Sequence, residues 1–180
     1  MIKSSHTLSV LVENKPGVLA RIATLFARRG FNIDSLAVGE TEDPSVSRMT
    51  VVVSVEGKPL EQVIKQLRKL INVLRVVELP HEDSVERELA LIKVGVGAGQ
   101  RAEVLEIAEI FRAKIVDVDA DALMIEATGS PEKVSALEEL LRPYGIVEMT
   151  RTGRVGLGRG GRGLKAPALQ PVPIANRSAS

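Results

Sequence analysis

The period of the hydrophobic positions switches back and forth between strand-like and helix-like along the first 80 residues. Leu8, Val10 and Val12 alternate with Ser9, Leu11 and Glu13, as in a strand. Val18, Leu19, Ile22, Leu25 and Phe26 then share one helical stripe, with Arg21, Thr24 and Arg28 opposite. Pro16 suits a first helical turn, and Gly30 directly after Arg28-Arg29 predicts a left-handed C-terminal cap with cations at the negative helix end. Phe31–Val38 reads as a second strand, and Gly39–Ser47, with Asp43-Pro44, as the turn after it. Met49, Val51, Val53 and Val55 alternate with polar neighbours in a β-branched third strand that Gly57-Lys58-Pro59 ends. Leu60, Val63, Ile64, Leu67, Leu70 and Ile71 return to helical spacing, and Val73–Leu79 alternates until Pro80.

The same order repeats. After a charged stretch, His81–Glu88, read as a linker merging into the next strand, come a strand over Leu89–Val96 and a helix over Ala102–Ala113. Two short strands follow at Ile115–Asp119 and Ala122–Thr128, then a helix from Ser130 through Leu141, with Pro131 in its first turn, and a strand over Ile146–Thr150. The pattern predicts an α+β fold of two tandem ferredoxin-like βαββαβ units at 1–80 and 81–158, with a Gly/Arg- then Pro/Ala/Ser-rich flexible tail at 159–180. Leu11, Leu36, Val38, Val52, Leu74 and Val76 fall on positions the first unit's helices need not cover, which predicts pairing with another chain.

Composition narrows the chemistry. Charge is balanced, 24 basic against 23 acidic side chains, which excludes a whole-molecule electrostatic reader of nucleic acid or anionic membrane. Absence of cysteine excludes disulfides, thiolate metal sites and a thiol nucleophile, and fits the cytoplasm. No apolar run approaches the roughly 18 residues of a spanning helix. With no Trp, one Tyr and three Phe, the core must rest on aliphatic residues.

The turn between Leu8–Glu13 and the first helix offers the clearest binding chemistry. Helix-starting N–H groups lie beside Asn14, and Gly17 would let a small carboxylate approach Val18 and Leu19, with Asn14 or Asn32 holding the ammonium or carboxylate. A bland alternative has Asn14 capping the helix and Gly17 fitting the turn. Gly95-Val-Gly97-Ala-Gly99-Gln100 lacks the last glycine of a dinucleotide loop and reads as a turn. Asp117, Asp119 and Asp121 lack the glycine and glutamate of a calcium loop and read as a strand end. His6 and His81 read as exposed polar residues, one at a frayed start and one in a linker. The Arg/Gly stretch after Gly153 lacks the aromatic partners of a nucleic-acid segment.

Several stretches together resemble the small, regulatory subunit of acetolactate synthase, also called acetohydroxyacid synthase. They are Leu8–Asn14, Gly17–Ile22, Arg29–Leu36, Asp43–Thr50, Asn72–Val76, Val85–Glu88 and Arg151–Gly153. The resemblance implies an N-terminal ACT domain that binds effectors and dimerises, followed by an ACT-like domain. It implies a chain without catalytic residues, cofactor or metal that activates a catalytic large subunit carrying thiamine diphosphate, magnesium and FAD. It further implies feedback inhibition by valine, bound by Asn14, Gly17 and Val18 of one chain facing Asn32 and Ile33 of another. A free-standing amino-acid sensor, or a nucleic-acid-binding regulator built on the same domain, is the competing expectation.

Overall fold

The structure, a computed structural model, describes residues 4–55, 60–97 and 99–161. The first unit runs β1 (Ser4–Glu13), α1 (Val18–Arg29), β2 (Asn32–Glu40), β3 (Val46–Val55), α2 (Leu60–Leu67) and β4 (Val73–Glu78). The second runs β5 (Ser84–Gly95), α3 (Arg101–Ile110), β6 (Lys114–Val118), β7 (Ala122–Gly129), α4 (Pro131–Leu141), a 3₁₀ turn at Arg142–Tyr144, and β8 (Ile146–Arg151). A further strand, β9 (Val155–Gly158), pairs with the start of β5.

The two antiparallel sheets have equivalent orders, β2-β3-β1-β4 and β6-β7-β5-β8. Alternation along β1 sends Leu8, Val10 and Val12 into a core with Met49, Val51 and Val53 of β3, the register pairing Leu8 with Val51 and Val10 with Met49. α1 closes that core with Val18, Ile22 and Phe26, spaced four apart on one face. It ends as predicted. Gly30 takes φ 67, the Phe31 N–H donates to the Phe26 carbonyl at 3.0 Å, and the two rings meet edge to face at 6.2 Å. The second core is built from Ile92, Val94, Val104, Leu123, Ile125 and Leu137. Ser130 caps α4 by accepting from the Lys133 N–H.

Four expectations are corrected. The charged stretch is not a linker: β5 begins at Ser84, and Glu86 and Glu88 are buried on the same strand face as Ala90, Ile92 and Val94. α2 is shorter than its apolar spacing suggests, stopping at Leu67, and Ile71 is 85% exposed. The outer sheet face is not the apolar surface expected, since Leu11 and Val52 are buried with β9 lying against β1, while Val76 and Leu36 join the first core and, of the six residues named, only Val38 stays well exposed. His6 is no frayed residue: it is half-buried in β1, its Nδ1 2.8 Å from the Glu78 carboxylate, whereas His81 is exposed. Of the tail expected at 159–180, residues 162–180 lie outside the described residues.

Candidate functional site

Between the end of β1 and the start of α1 the chain reverses in four residues. Gly17 makes the reversal at φ 84 and ψ −9, and a Cβ there would meet nothing within 4 Å. Glycine is favoured for its dihedrals, with the space beside it left open. No side chain caps α1. The Val18 N–H reaches only the Lys15 carbonyl, at 3.4 Å, and the Arg21 N–H closes onto Gly17 at 3.1 Å. Such a start presents N–H donors with partial positive charge to an anion. Val18 itself is buried, so the backbone is what it can offer.

Asn14 is not the cap. Its Nδ2 donates to Glu40 Oε1 at 3.1 Å and to the Pro44 carbonyl at 2.9 Å, tying the turn to the β2–β3 connection. Both amide hydrogens are thereby used, and Oδ1 is left as an acceptor. The connection is itself ordered by Asp43, which accepts from the Ser45 hydroxyl at 2.6 Å and the Ser45 N–H at 2.9 Å. Those two bonds hold the Asp43 carboxyl below the usual carboxylate range.

Beneath the turn lies a polar strut that sequence reasoning missed. Asn72 donates to Glu13 at 2.5 Å and accepts from Arg21 at 2.9 Å, while Lys15 reaches Glu13 at 3.1 Å. The Asn72 and Lys15 bonds lower the Glu13 pKa. Asn72 opens one of the stretches quoted above, but nothing local pairs it with Glu13, 59 residues away.

Asn32 and Ile33 begin β2, at the other end of α1. Twelve helical residues rise roughly 18 Å, far more than an amino acid spans. One chain therefore brings Asn14, Gly17 and Val18 together and Asn32 with Ile33, but not the two groups around one ligand. Asn32 is exposed and donates to the Asp34 carboxylate, which also accepts from the Ser54 hydroxyl. Ile33 packs partly against the first core, which leaves edge-strand backbone as its outward contribution, since β2 ends its sheet.

Other candidates resolve differently. Gln100 Oε1 accepts from the Gly97 N–H at 3.0 Å, so the glycine-containing loop is closed by its own side chain; Ala98 lies outside the described residues. Asp117 sits in β6, and Asp119 Oδ1 accepts from the Ala120 N–H in the turn after it. Among the described residues, no group of three or more His, Asp or Glu could hold a metal ion, and no helix is long and apolar enough to cross a membrane. A cavity of about 580 Å³ opens between Val38 and Arg48 of the first sheet and Val85, Arg87, Val155 and Leu157 of the second unit; none of the five predicted site residues lines it.

Comparison with known proteins gives a consistent answer for both units. The AHAS small subunit-like ACT domain matches residues 8–75, and the family described as small subunit of acetolactate synthase matches residues 87–160. The chain is 60% identical to the acetolactate synthase small subunit of Mycolicibacterium smegmatis over 162 residues, 90% of this chain and 95% of that protein. It is 57% identical to the probable acetolactate synthase small subunit of Archaeoglobus fulgidus over 157 residues, 87% and 98% of the two chains. The crystal structure of the Thermotoga maritima acetolactate synthase small subunit, 44% identical, superposes with a TM-score of 0.81 over 88% of this chain and 99% of that one.

Proposed function

The chain belongs to the family of acetolactate synthase small subunits, and from that premise we propose that it confers feedback inhibition by valine bound between two copies of itself. As a member of that family it is a regulatory subunit in branched-chain amino-acid biosynthesis, not itself the catalyst. Its partner on this reading is the large subunit, which carries thiamine diphosphate, magnesium and FAD and which it activates in the cytoplasm. We read each βαββαβ unit as ferredoxin-like, a reading supported by the shared strand order, with the units divided near residue 80 and the second ending at Gly158.

The observation that carries the valine reading is the separation of two half-sites along α1, each with an asparagine oxygen left as acceptor. Valine's carboxylate meets the uncapped start of α1 at Gly17 and Val18. Its ammonium is accepted by Asn14 Oδ1 of one chain and Asn32 Oδ1 of the other, since Glu40 and Pro44 take both amide hydrogens of Asn14, Asp34 takes one of Asn32, and the amide oxygens stay available as acceptors. Its isopropyl group lies against the β2 edge of the neighbouring chain at Ile33. An aliphatic pocket discriminates one methylene by about 1–3 kcal/mol, so leucine and isoleucine bind more weakly than valine.

Calorimetry tests this directly. Asn14→Ala and Asn32→Ala should each weaken valine binding roughly 10-fold or more, as expected for a lost bond to a charged group, while stimulation of the large subunit persists. Mixing the two variants should restore about a quarter of the sites, since half of randomly exchanged two-fold dimers carry one intact and one doubly altered site. Unchanged affinity in both variants, or no restoration on mixing, would reject the shared site.

A further inference from the structure

Two stretches, Val85–Glu88 and Arg151–Gly153, have no part in the effector site, yet the structure brings them together at the seam between the units. Glu86 and Glu88 are both buried. Arg154 lies 3.4 Å from Glu86 and 3.7 Å from Glu88, and Arg151 lies 3.5 Å from Glu88 and 2.5 Å from Glu138 of α4. Removing one member of such a buried set leaves a charge uncompensated, so the cluster holds the seam as a unit. It is nevertheless one bond short: Glu88 Oε2 and Arg151 Nε are buried without a hydrogen-bond partner. Unpaired buried polar atoms are costly, so a re-pairing within the cluster that satisfied them would be favoured.

The other side of the seam is β2. The Arg154 N–H donates to Ser35 Oγ at 2.8 Å. Gly153 takes φ 79, and a Cβ there would lie 2.7 Å from Ser35 Oγ and 3.3 Å from the Leu36 carbonyl, so only a bare backbone can lie this flat on the strand. Ser35 follows the irregularity in the β2–β3 pairing between Ile33 and Ser35, at Asp34, whose carboxylate holds Asn32. Contact is thus continuous from Asn32 through Asp34, Ser35 and the 153–154 backbone to the Glu86/Glu88/Arg151 cluster and α4.

We propose that this seam is the relay of the effector signal: Ser35, Gly153 and Arg154 are positioning residues that couple the state of β2 to the docking of the second unit. The proposal rests on the valine reading above. Ligand drawn onto Asn32 pulls on Asp34 and the β2 irregularity, and the 153–154 backbone, seated on the next residue, shifts with it. The cluster then re-pairs, and the surface the two units present together changes. A contact chain of this kind carries coupling only where an element has two arrangements, and re-pairing of Glu88 with Arg151 is the second arrangement the relay requires.

The test uses the small subunit with its catalytic large subunit, and the variants Ser35→Ala, Ser35→Thr and Gly153→Ala. Circular dichroism first establishes that each folds; should Gly153→Ala not fold, Ser35→Ala, which removes only a hydroxyl, carries the test. Ser35→Ala and Gly153→Ala are expected to bind valine within about 2-fold of wild type and to stimulate the large subunit. Their midpoint for valine inhibition should rise about 10-fold, or the maximal inhibition collapse, within the usual range of allosteric coupling. Ser35→Thr, which keeps the hydroxyl, should behave as wild type. Inhibition of the alanine variants at wild-type midpoint and depth overturns the relay alone, as does loss of valine binding in them, which would make the seam a mere support of the site. Failure of the wild-type subunit to bind valine overturns the effector reading and the relay with it.

Discussion

The two units repeat one topology down to their irregularities, and differ at the turn that starts their first helix. Pairing shifts register at Leu11/Val12 in β1–β4 and at Lys93/Val94 in β5–β8; it shifts again between Ile33 and Ser35 in β2–β3 and between Ile115 and Asp117 in β6–β7. In both units a residue at the first turn also reaches the next hairpin: Asn14 binds Glu40 and Pro44, and Arg101 binds the Asp119 and Ala120 carbonyls at 2.6 and 2.9 Å. The second unit then fills its own turn, the Gln100 side chain taking the Gly97 N–H. The first leaves its turn open. Both first helices start without a side-chain cap and both turn glycines, Gly17 and Gly99, have clear space beside them; what sets the first turn apart is the uncommitted Asn14 oxygen. The same fold thus closes its turn with a glutamine side chain in one copy and leaves an asparagine acceptor free in the other, where the valine site is proposed.

That contrast can be broken most severely at its glycines. Gly17→Ala and Gly99→Ala both force alanine into left-handed backbone, at φ 84 and 93, and each should lose about 1–2 kcal/mol in chemical denaturation. Only Gly17→Ala should also abolish measurable valine binding, because its new methyl group enters the open space; equal binding by the two variants would erase the distinction between the turns. A milder cut is Gln100→Ala, which removes the side chain that closes the second turn. It should cost about 1 kcal/mol of stability by urea titration and leave the valine isotherm unchanged. The smallest effect is expected from acid. Asp43 has a folded-state pKa below its ordinary 3.8, so its contribution is fully present above that value and is lost as pH falls through the lower, folded value. Valine affinity, measured down to pH 4, should therefore show no loss that Asp43→Asn removes; a loss above that pH confined to wild type would mean that the Asp43 carboxyl is not held below its ordinary value.

How much of this was readable in the chain depended on whether the cause was local. α1 and its stop were legible because Ile22, Phe26 and Gly30 announce themselves within one stretch, and Ser130-Pro131 does the same for α4. The start of β5 was not, because Glu86 and Glu88 look like solvated charges until Arg151 and Arg154, more than 60 residues on, are seen to neutralise them. β9 was hidden for a similar reason: the glycines at 156 and 158 do not read as a strand, and it forms only because Ser84–Arg87 offers an edge to pair with. At the candidate site the helix start and Gly17 were visible, while the role of Asn14 was split between cap and ligand. Glu40 and Pro44 decided against the cap, and they are brought to Asn14 only by the β2–β3 connection.

β5 gives the molecule a lever. Glu86, Glu88, Ala90, Ile92 and Val94 lie on one face of a single uninterrupted strand, acidic at the seam and aliphatic in the second core. From Glu86 to Val94 this spans about 27 Å at the usual rise of a strand. The apolar end is clamped between β7 and β8, whereas the acidic end pairs with β9 and is neutralised by Arg151 and Arg154. On the proposed relay, a small tilt at the charged end would reach the second core through one stiff strand rather than a soft hinge.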